Sequence, residues 1–214
     1  KQISDKDLLG ALEKTARQAQ RAGQIIQRIR TFVKRSEPNR TLAEVPGMVA
    51  EALELAEIEF RRRNVRLTHH IAARLPTLQV DPILIEQVLV NLLKNAAESI
   101  DAAHRPTSRR HVELRVVPRV ESEQRVVEFS VTDTGQGLAP EVLDRLFEAF
   151  FSTKAEGMGI GLNLCRSIVE SHHGRMQARN LYNGQEVVGC CFSFWIPVTD
   201  SQQTDAFKDS GVTA

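Results

Sequence analysis

Asp133 is followed by Gly135 and Gly137, directly after the apolar, β-rich run Val126-Val127-Glu128-Phe129-Ser130-Val131. A carboxylate at a strand end can be buried and still accept a hydrogen bond from the NH₂ group of a ligand. The two glycines let the chain turn sharply and bring its backbone close to that ligand. Taken alone, D-x-G-x-G equally describes a hairpin turn with a capping Asp. A second set lies upstream, where Asn91, Asn95 and Glu98 fall at i, i+4 and i+7, nearly in one line along a helical apolar stretch. Amides are mediocre helix formers, so this row reads either as a hydrogen-bonded polar edge or as oxygen ligands facing a phosphate–metal site. A third set lies downstream. Ser152, Thr153 and Lys154 precede Gly157-Met158-Gly159-Ile160-Gly161-Leu162, which leads straight into another helical segment. Glycines entering a helix N-terminus offer free backbone N–H groups and a favourable dipole, the arrangement that cradles phosphate.

The elements that must position these residues follow from periodicity. Residues 1–36 read as one long helix that Ser4 or Asp5 can cap, with no Pro before Pro38. Leu8, Leu12, Thr15, Ala19, Ala22, Ile26, Ile29 and Val33 form a heptad seam, widened by Leu9, Ala16, Ile25 and Phe32. Nothing in the segment itself can bury that seam, which predicts a bundle with a partner helix, most simply from a second copy of the chain. The alternative is an amphipathic helix lying on its own domain. Residues 36–40 are a turn-rich break and mark the domain boundary.

Residues 44–63 predict a helix whose closing arginines, Arg61 to Arg63, read as a solvated end. Residues 65–71 and 77–80 read as strands. Asp81 with Pro82 starts the helix that runs from Ile83 to about Ala102 and bears the Asn row. Residues 111–117 and 125–132 predict a hairpin joined by a charged loop over 118–124. A short helix over 140–146 leads into Phe147-Glu148-Ala149-Phe150-Phe151, and at least two of these three aromatics are expected in the core. A helix over 163–171 ends at His172-His173, read as caps. Strands over 175–179 and 187–197 close the domain, and 199–214 is a polar tail or linker.

Composition narrows the function classes. Lys and Arg total 28 against 27 acidic residues, a net charge of +1, so no excess positive field marks a generic nucleic-acid binder. Cys165, Cys190 and Cys191 have no metal-ligand spacing and no disulfide framework, which fits a reducing, cytoplasmic setting. No run of 18 apolar residues and no signal peptide occurs. The first residue is Lys rather than Met, so the chain reads as part of a longer protein, soluble or membrane-bound, whose sensor lies elsewhere.

The Asn-bearing helix, the D-x-G-x-G turn, the aromatic box and the glycine-rich helix entry occur in that order. Over roughly residues 42–198 the chain resembles the catalytic ATP-binding domain of two-component sensor histidine kinases, within the gyrase/Hsp90/histidine-kinase/MutL ATPase group. The N-box is Gln87 to Ala97, the G1 box Asp133 to Gly137, the F-box Phe147 to Phe151 and the G2 box Gly157 to Gly161, while Gly189-Cys190-Cys191-Phe192 resembles the final G-T-x-F strand. Ser-Thr-Lys ahead of Gly-Met-Gly is most similar to the FixL/NtrB-type branch.

The resemblance implies an α+β fold, a two-layer α/β sandwich of the Bergerat type over 42–198. It implies that 1–37 is the second helix of a dimerisation and phosphotransfer hairpin, and 199–214 a flexible tail. ATP and Mg²⁺ are the implied cofactors. Asp133 would accept the adenine amino group, with Gly135 and Gly137 shaping the base pocket. Asn95 would ligate Mg²⁺ and Asn91 lie beside the phosphates. Lys154, carried on a mobile lid, would contact the γ- or β-phosphate. Phe150, Ser152, Thr153, Gly157, Gly159, Ile160, Gly161 and Leu162 complete the implied ATP contacts, with backbone N–H groups from Gly159 and Gly161. Hydrolysing members of the group carry Glu four residues before the metal Asn. This chain has Asn91 there, so the resemblance implies a phosphotransferase rather than an ATPase. Glu98 stands where many histidine kinases have Lys, and is read as organising water around the metal.

The implied function is transfer of the ATP γ-phosphoryl group to a His on a dimerisation helix, for relay to an Asp of a response-regulator receiver domain. No His precedes His69, so the acceptor would be supplied from outside these residues. Two other functions stay open: a serine kinase of the anti-sigma type, and a nucleotide-binding dimerisation module without kinase activity.

Overall fold

The computed structural model describes residues 38–154 and 157–199, together with Leu9, Gly10, Leu12, Thr15, Ala16 and Gly23. Two compact units divide the chain at Glu37/Pro38. In the first, the six described residues are helical, and Leu9 and Leu12 are exposed. The rest of the expected heptad seam, and the tail from Asp200 on, lie outside the described residues.

The second unit starts with β1 (Thr41–Ala43), α1 (Val45–Arg62), β2 (Arg66–Ile71), β3 (Leu78–Val80) and α2 (Pro82–Ala102). After a 3₁₀ turn come β4 (His111–Glu121), β5 (Gln124–Asp133), α3 (Pro140–Arg145), α4 (Gly161–Ser171), β6 (Arg175–Asn183) and β7 (Glu186–Pro197). Five strands form one sheet in the order β2-β4-β5-β7-β6, parallel only between β2 and β4. β1 and β3 make a small antiparallel pair.

Alternation along the strands explains the two layers. Val112, Leu114 and Val116 of β4 and Val127, Phe129 and Val131 of β5 are buried, while Glu113 and Arg115 between them are exposed. One sheet face therefore meets the apolar faces of α1, α2 and α4, and the other faces water. At the centre Phe129 lies opposite Phe194 in the β5–β7 ladder, with rings stacked at 4.7 Å. α2 begins as its sequence dictates. Asp81 accepts the Leu84 N–H at 3.3 Å and Pro82 occupies the first turn.

Four expectations are corrected. Residues 118–124 are not a loop: β4 and β5 continue to a two-residue turn at Ser122 and Glu123, both with positive φ. Such a turn matches strand twist, and Pro118 is tolerated because β2 pairs only as far as Val116. β6 likewise runs past Arg179 to Asn183. Arg63 is not a solvated helix end, because it pairs with Glu59 at 2.6 Å and with Asp101, which Arg110 also holds. Burial alone would raise the Asp101 carboxyl, and the hydrogen bonds from Arg110 and Arg63 outweigh it and hold the pKa below its usual value. Finally, the aromatic box is mostly outside the core. Phe147 packs partly against it, Phe151 lies half-buried with the Arg145 guanidinium 4.4 Å from its ring centroid, and Phe150 is 72% exposed. The segment follows no regular period, and a φ of +67° at Phe150 turns that residue outward.

Candidate functional site

Strand alternation carries Asp133 to the same inner face as Phe129 and Val131, so its carboxylate is aimed at α2 and is 1% exposed. Its Oδ1 accepts the Gly135 N–H at 2.7 Å and the Ser99 hydroxyl at 3.4 Å. Burial pushes the carboxyl up to about 6, against the Gly135 amide, the Ser99 hydroxyl and the Cys190 backbone, which pull it down. Cys190 is the residue opposite Asp133 in the β5–β7 ladder. No ion pair among the described residues includes Asp133. The result is a buried acceptor with unused capacity, suited to a neutral N–H donor.

The turn after Asp133 is held from both sides. Thr134 Oγ1 accepts the His111 N–H at 3.1 Å, and Arg105 donates to the Gly135 carbonyl at 3.3 Å. Gly137 has φ +71°, and a Cβ there would collide with Val187. Asn180 on β6 clamps the next residue with both ends of its amide. Its Oδ1 accepts the Leu138 N–H at 2.9 Å and its Nδ2 donates to the Leu138 carbonyl at 2.7 Å. Sequence reading missed Asn180, which lies beyond the end of the expected strand and meets a partner 42 residues away.

The second group sits on α2 and the glycine-rich segment. Asn91 donates through Nδ2 to Cys165 Sγ at 3.1 Å, and its carboxamide faces the α-carbon of Gly161, the first residue of α4. Burial pushes the Cys165 thiol up to about 12, leaving it a packed acceptor rather than a nucleophile. Asn95 Oδ1 accepts from Lys154 Nζ at 3.0 Å, and the same ammonium pairs with Glu98. Lys94 Nζ lies 3.9 Å from the other Glu98 oxygen. Thus Asn95, Glu98 and Lys154 meet, as do Asn91 and Gly161.

The approach to α4 is a set of tight turns. Ser152 Oγ accepts the Lys154 N–H at 3.2 Å, and Gly157 donates to the Lys154 carbonyl at 3.0 Å. Phe150 N–H donates to the Gly159 carbonyl at 3.0 Å, and Gly159, at φ +65°, presses so closely on the Phe150-Phe151 backbone that no Cβ fits. Thr153 is exposed beside Ser152, whereas Ile160 is buried and Leu162 packs against the core. Those two can therefore meet a ligand chiefly through backbone. The N–H groups that open α4 have no partner inside the helix, and its dipole favours an anion there.

The far ends of the two helices are fastened together. His172 Nδ1 lies 2.8 Å from the Ile168 carbonyl, and its Nε2 accepts the Asp81 N–H at 3.0 Å. That pattern places the proton on Nδ1 and joins the C-terminus of α4 to the N-cap of α2. Burial lowers its pKa, so His172 stays neutral and structural, a cap as expected, with α2 as its second attachment.

The hard oxygen donor of Asn95 suits a divalent cation that takes its remaining ligands from phosphate and water, as Mg²⁺ does. No cluster of three or more His, Cys, Asp or Glu with metal-binding geometry occurs among the described residues. No described helix is long and apolar enough to cross a membrane.

Comparison with known proteins places this site in a family. The model of histidine kinase-, DNA gyrase B- and HSP90-like ATPases matches residues 80–200, more than half of the chain. The C4-dicarboxylate transport sensor protein DctS of Rhodobacter capsulatus is 40% identical over 88% of this chain and 27% of its own. The sensor protein FixL of Bradyrhizobium diazoefficiens is 38% identical over 89% of this chain and 35% of its own. The chain thus spans between about a quarter and a third of the length of these relatives. Among solved structures, the catalytic domain of histidine kinase ThkA superposes with a TM-score of 0.59 at 26% identity, over 74% of this chain and 95% of that domain. The two-layer fold, with α2 and the turn after β5 inside the matched span, is that of these ATPases, and the chain belongs to the histidine kinase-, DNA gyrase B- and HSP90-like ATPase family.

Proposed function

We propose that this chain is the ATP-binding catalytic core of a sensor histidine kinase, which passes the γ-phosphoryl group of ATP to a histidine on a dimerisation helix. The observation that carries the reading is the sharing of α2 between two unlike ends. Ser99 faces the buried Asp133, while Asn91 meets Cys165 and the first residue of α4, and Asn95 and Glu98 hold Lys154 in the turns before it. Asn91 and Ser99 lie about 12 Å apart along the helix at 1.5 Å per residue, a span suited to a base at one end and phosphates at the other.

In this reading Asp133 accepts the adenine N6–H, and Gly135 and Gly137 let the base approach the backbone. The open N–H groups of α4, with Lys154 and Asn91, orient the phosphates. Asn95 would hold Mg²⁺, whose charge offsets that of the triphosphate oxygens. Phe150, Ser152, Thr153, Gly157 and Gly159 form the turns that border the phosphate end. An acceptor imidazole nitrogen attacks the γ-phosphorus, the bond to the β,γ-bridging oxygen breaks, and ADP leaves with that electron pair. The four residues Asn91 to Lys94 include no carboxylate, so no side chain there activates water in competition with the imidazole.

None of the six His lies in a helix: His69, His70 and His111 are in strands, and His104, His172 and His173 follow helix ends. The acceptor is therefore a histidine supplied by another segment or chain. The heptad pattern before residue 37 supports a homodimer through that helix, and the onward partner is a response-regulator receiver domain. The direct test incubates the chain with γ-labelled ATP, Mg²⁺ and a histidine-bearing helical hairpin. Label that is lost in acid and kept in base identifies phosphohistidine. Acid-stable label would support the serine-kinase alternative, and no transfer despite ATP binding would support a regulatory module.

A further inference from the structure

We infer that Glu98 is the resting site of Lys154: it holds the ammonium over Asn95 before nucleotide binds, and nucleotide phosphate binds by drawing Lys154 away. This rests on the nucleotide-site reading above and assigns Glu98 a positioning role. Three observations meet here. Lys154 Nζ is bonded at once to Asn95 Oδ1, at 3.0 Å, and to a Glu98 oxygen. Glu98 carries a second cation, Lys94, 3.9 Å from its other oxygen. Its side chain is 22% exposed and Lys154's is 47%, so the carboxylate is held by α2 while its partner can leave.

An acidic residue less than one helical turn beyond Asn95 would repel a triphosphate unless its charge were used. Paired with Lys154 it is neutralised before nucleotide binds. An anion that competes for the same ammonium then exchanges one charged partner of Lys154 for another. A half-exposed ion pair is weak, so Glu98 tunes affinity and does not block entry. The same contact places a cation on the Asn95 oxygen, so the move of Lys154 to phosphate also frees that oxygen for Mg²⁺.

The test measures binding of the non-hydrolysable analogue AMPPNP to the 214-residue chain, with Mg²⁺ and with chelator. The proteins are wild type, Glu98→Gln, Lys154→Met, the double variant and Asp133→Asn. Glu98→Gln is expected to tighten binding about two- to fivefold, and this gain is expected to shrink in the Lys154→Met background, where only the repulsion of an unpaired carboxylate is left to relieve. In the ligand-free protein, tryptic cleavage after Lys154 is expected to be faster in Glu98→Gln than in wild type. An equal gain in both backgrounds would show that Glu98 merely repels phosphate. Weaker Mg²⁺-dependent binding would assign it to the metal, and unchanged binding and cleavage would mean that the contact stores nothing. Each of these overturns the inference. Binding that is present in wild type and lost in Asp133→Asn keeps the site reading intact when the Glu98 result fails.

Discussion

At the Asp133 end the polar groups are paired and buried before any ligand arrives, whereas at the Lys154 end a half-exposed ammonium rests on the partly buried Glu98 and Asn95. The first region belongs to the sheet. Its carboxylate, its turn and its Asn180 clamp are fixed by β5, β6 and β7, so the shape offered to a planar base is prepaid. The second is assembled from one face of α2 and a run of turns, and its ammonium rests on oxygens that a ligand can replace. A rigid recognition end beside an exchangeable charged end suits a site that must admit a triphosphate and release a diphosphate.

Four perturbations sharpen that contrast. Asn95→Ala should reduce phosphoryl transfer by about a hundredfold or more, as loss of one group acting on the transferring phosphate does. ADP binding in chelator should change little, and single-turnover transfer beside calorimetry reads both. Asn180→Ala should destabilise the fold by about 2 kcal/mol, because both backbone groups of Leu138 lose their partners. Urea unfolding measures it, and the nucleotide affinity of the folded fraction should drop as the turn loosens.

Acidity should act on the rigid end. In the proposed reading adenine binds the ionised form of Asp133, whose pKa is raised to about 6 by burial. Affinity should therefore be flat above neutrality and fall about tenfold per pH unit below 6, as titrations from pH 5 to pH 8 would show. Stability moves the other way. The folded state holds this proton more tightly than the unfolded state, so the Asp133 contribution rises as pH falls from about 6 towards 4 and is lost as pH rises back through 6. The smallest effect belongs to the exchangeable end: Phe150→Ser, at a 72% exposed position, should change stability by less than about 0.5 kcal/mol. A larger loss in thermal unfolding would mean that this segment is as fixed as the Asp133 turn.

What was legible in the sequence divides along a different line, between local patterns and contacts made at long range. The burial of Asp133 follows from strand alternation through Val127, Phe129 and Val131, and the start of α2 follows from Asp81-Pro82, because both are local patterns. Asn91, Asn95 and Glu98 share a helix face for the same reason. Contacts between distant segments left no such trace. Asn180 reaches Leu138, Lys154 reaches Glu98 across 56 residues, and His172 reaches Asp81 across 91. The outward turn of Phe150 and the two-residue turn at Ser122-Glu123 depend on positive φ at residues that do not advertise it.

The account rests most heavily on Asp133 as the acceptor for the base, and Asp133→Asn tests it in a single variant. Calorimetric titration with ADP and AMPPNP, with and without Mg²⁺, should show saturable binding in wild type. The variant should lose about a hundredfold or more, while its melting temperature rises at pH 7 because a costly buried charge, about 3 kcal/mol, is gone. Normal nucleotide binding by a folded Asp133→Asn protein would contradict the account, and the pocket at the end of β5 would then have another use.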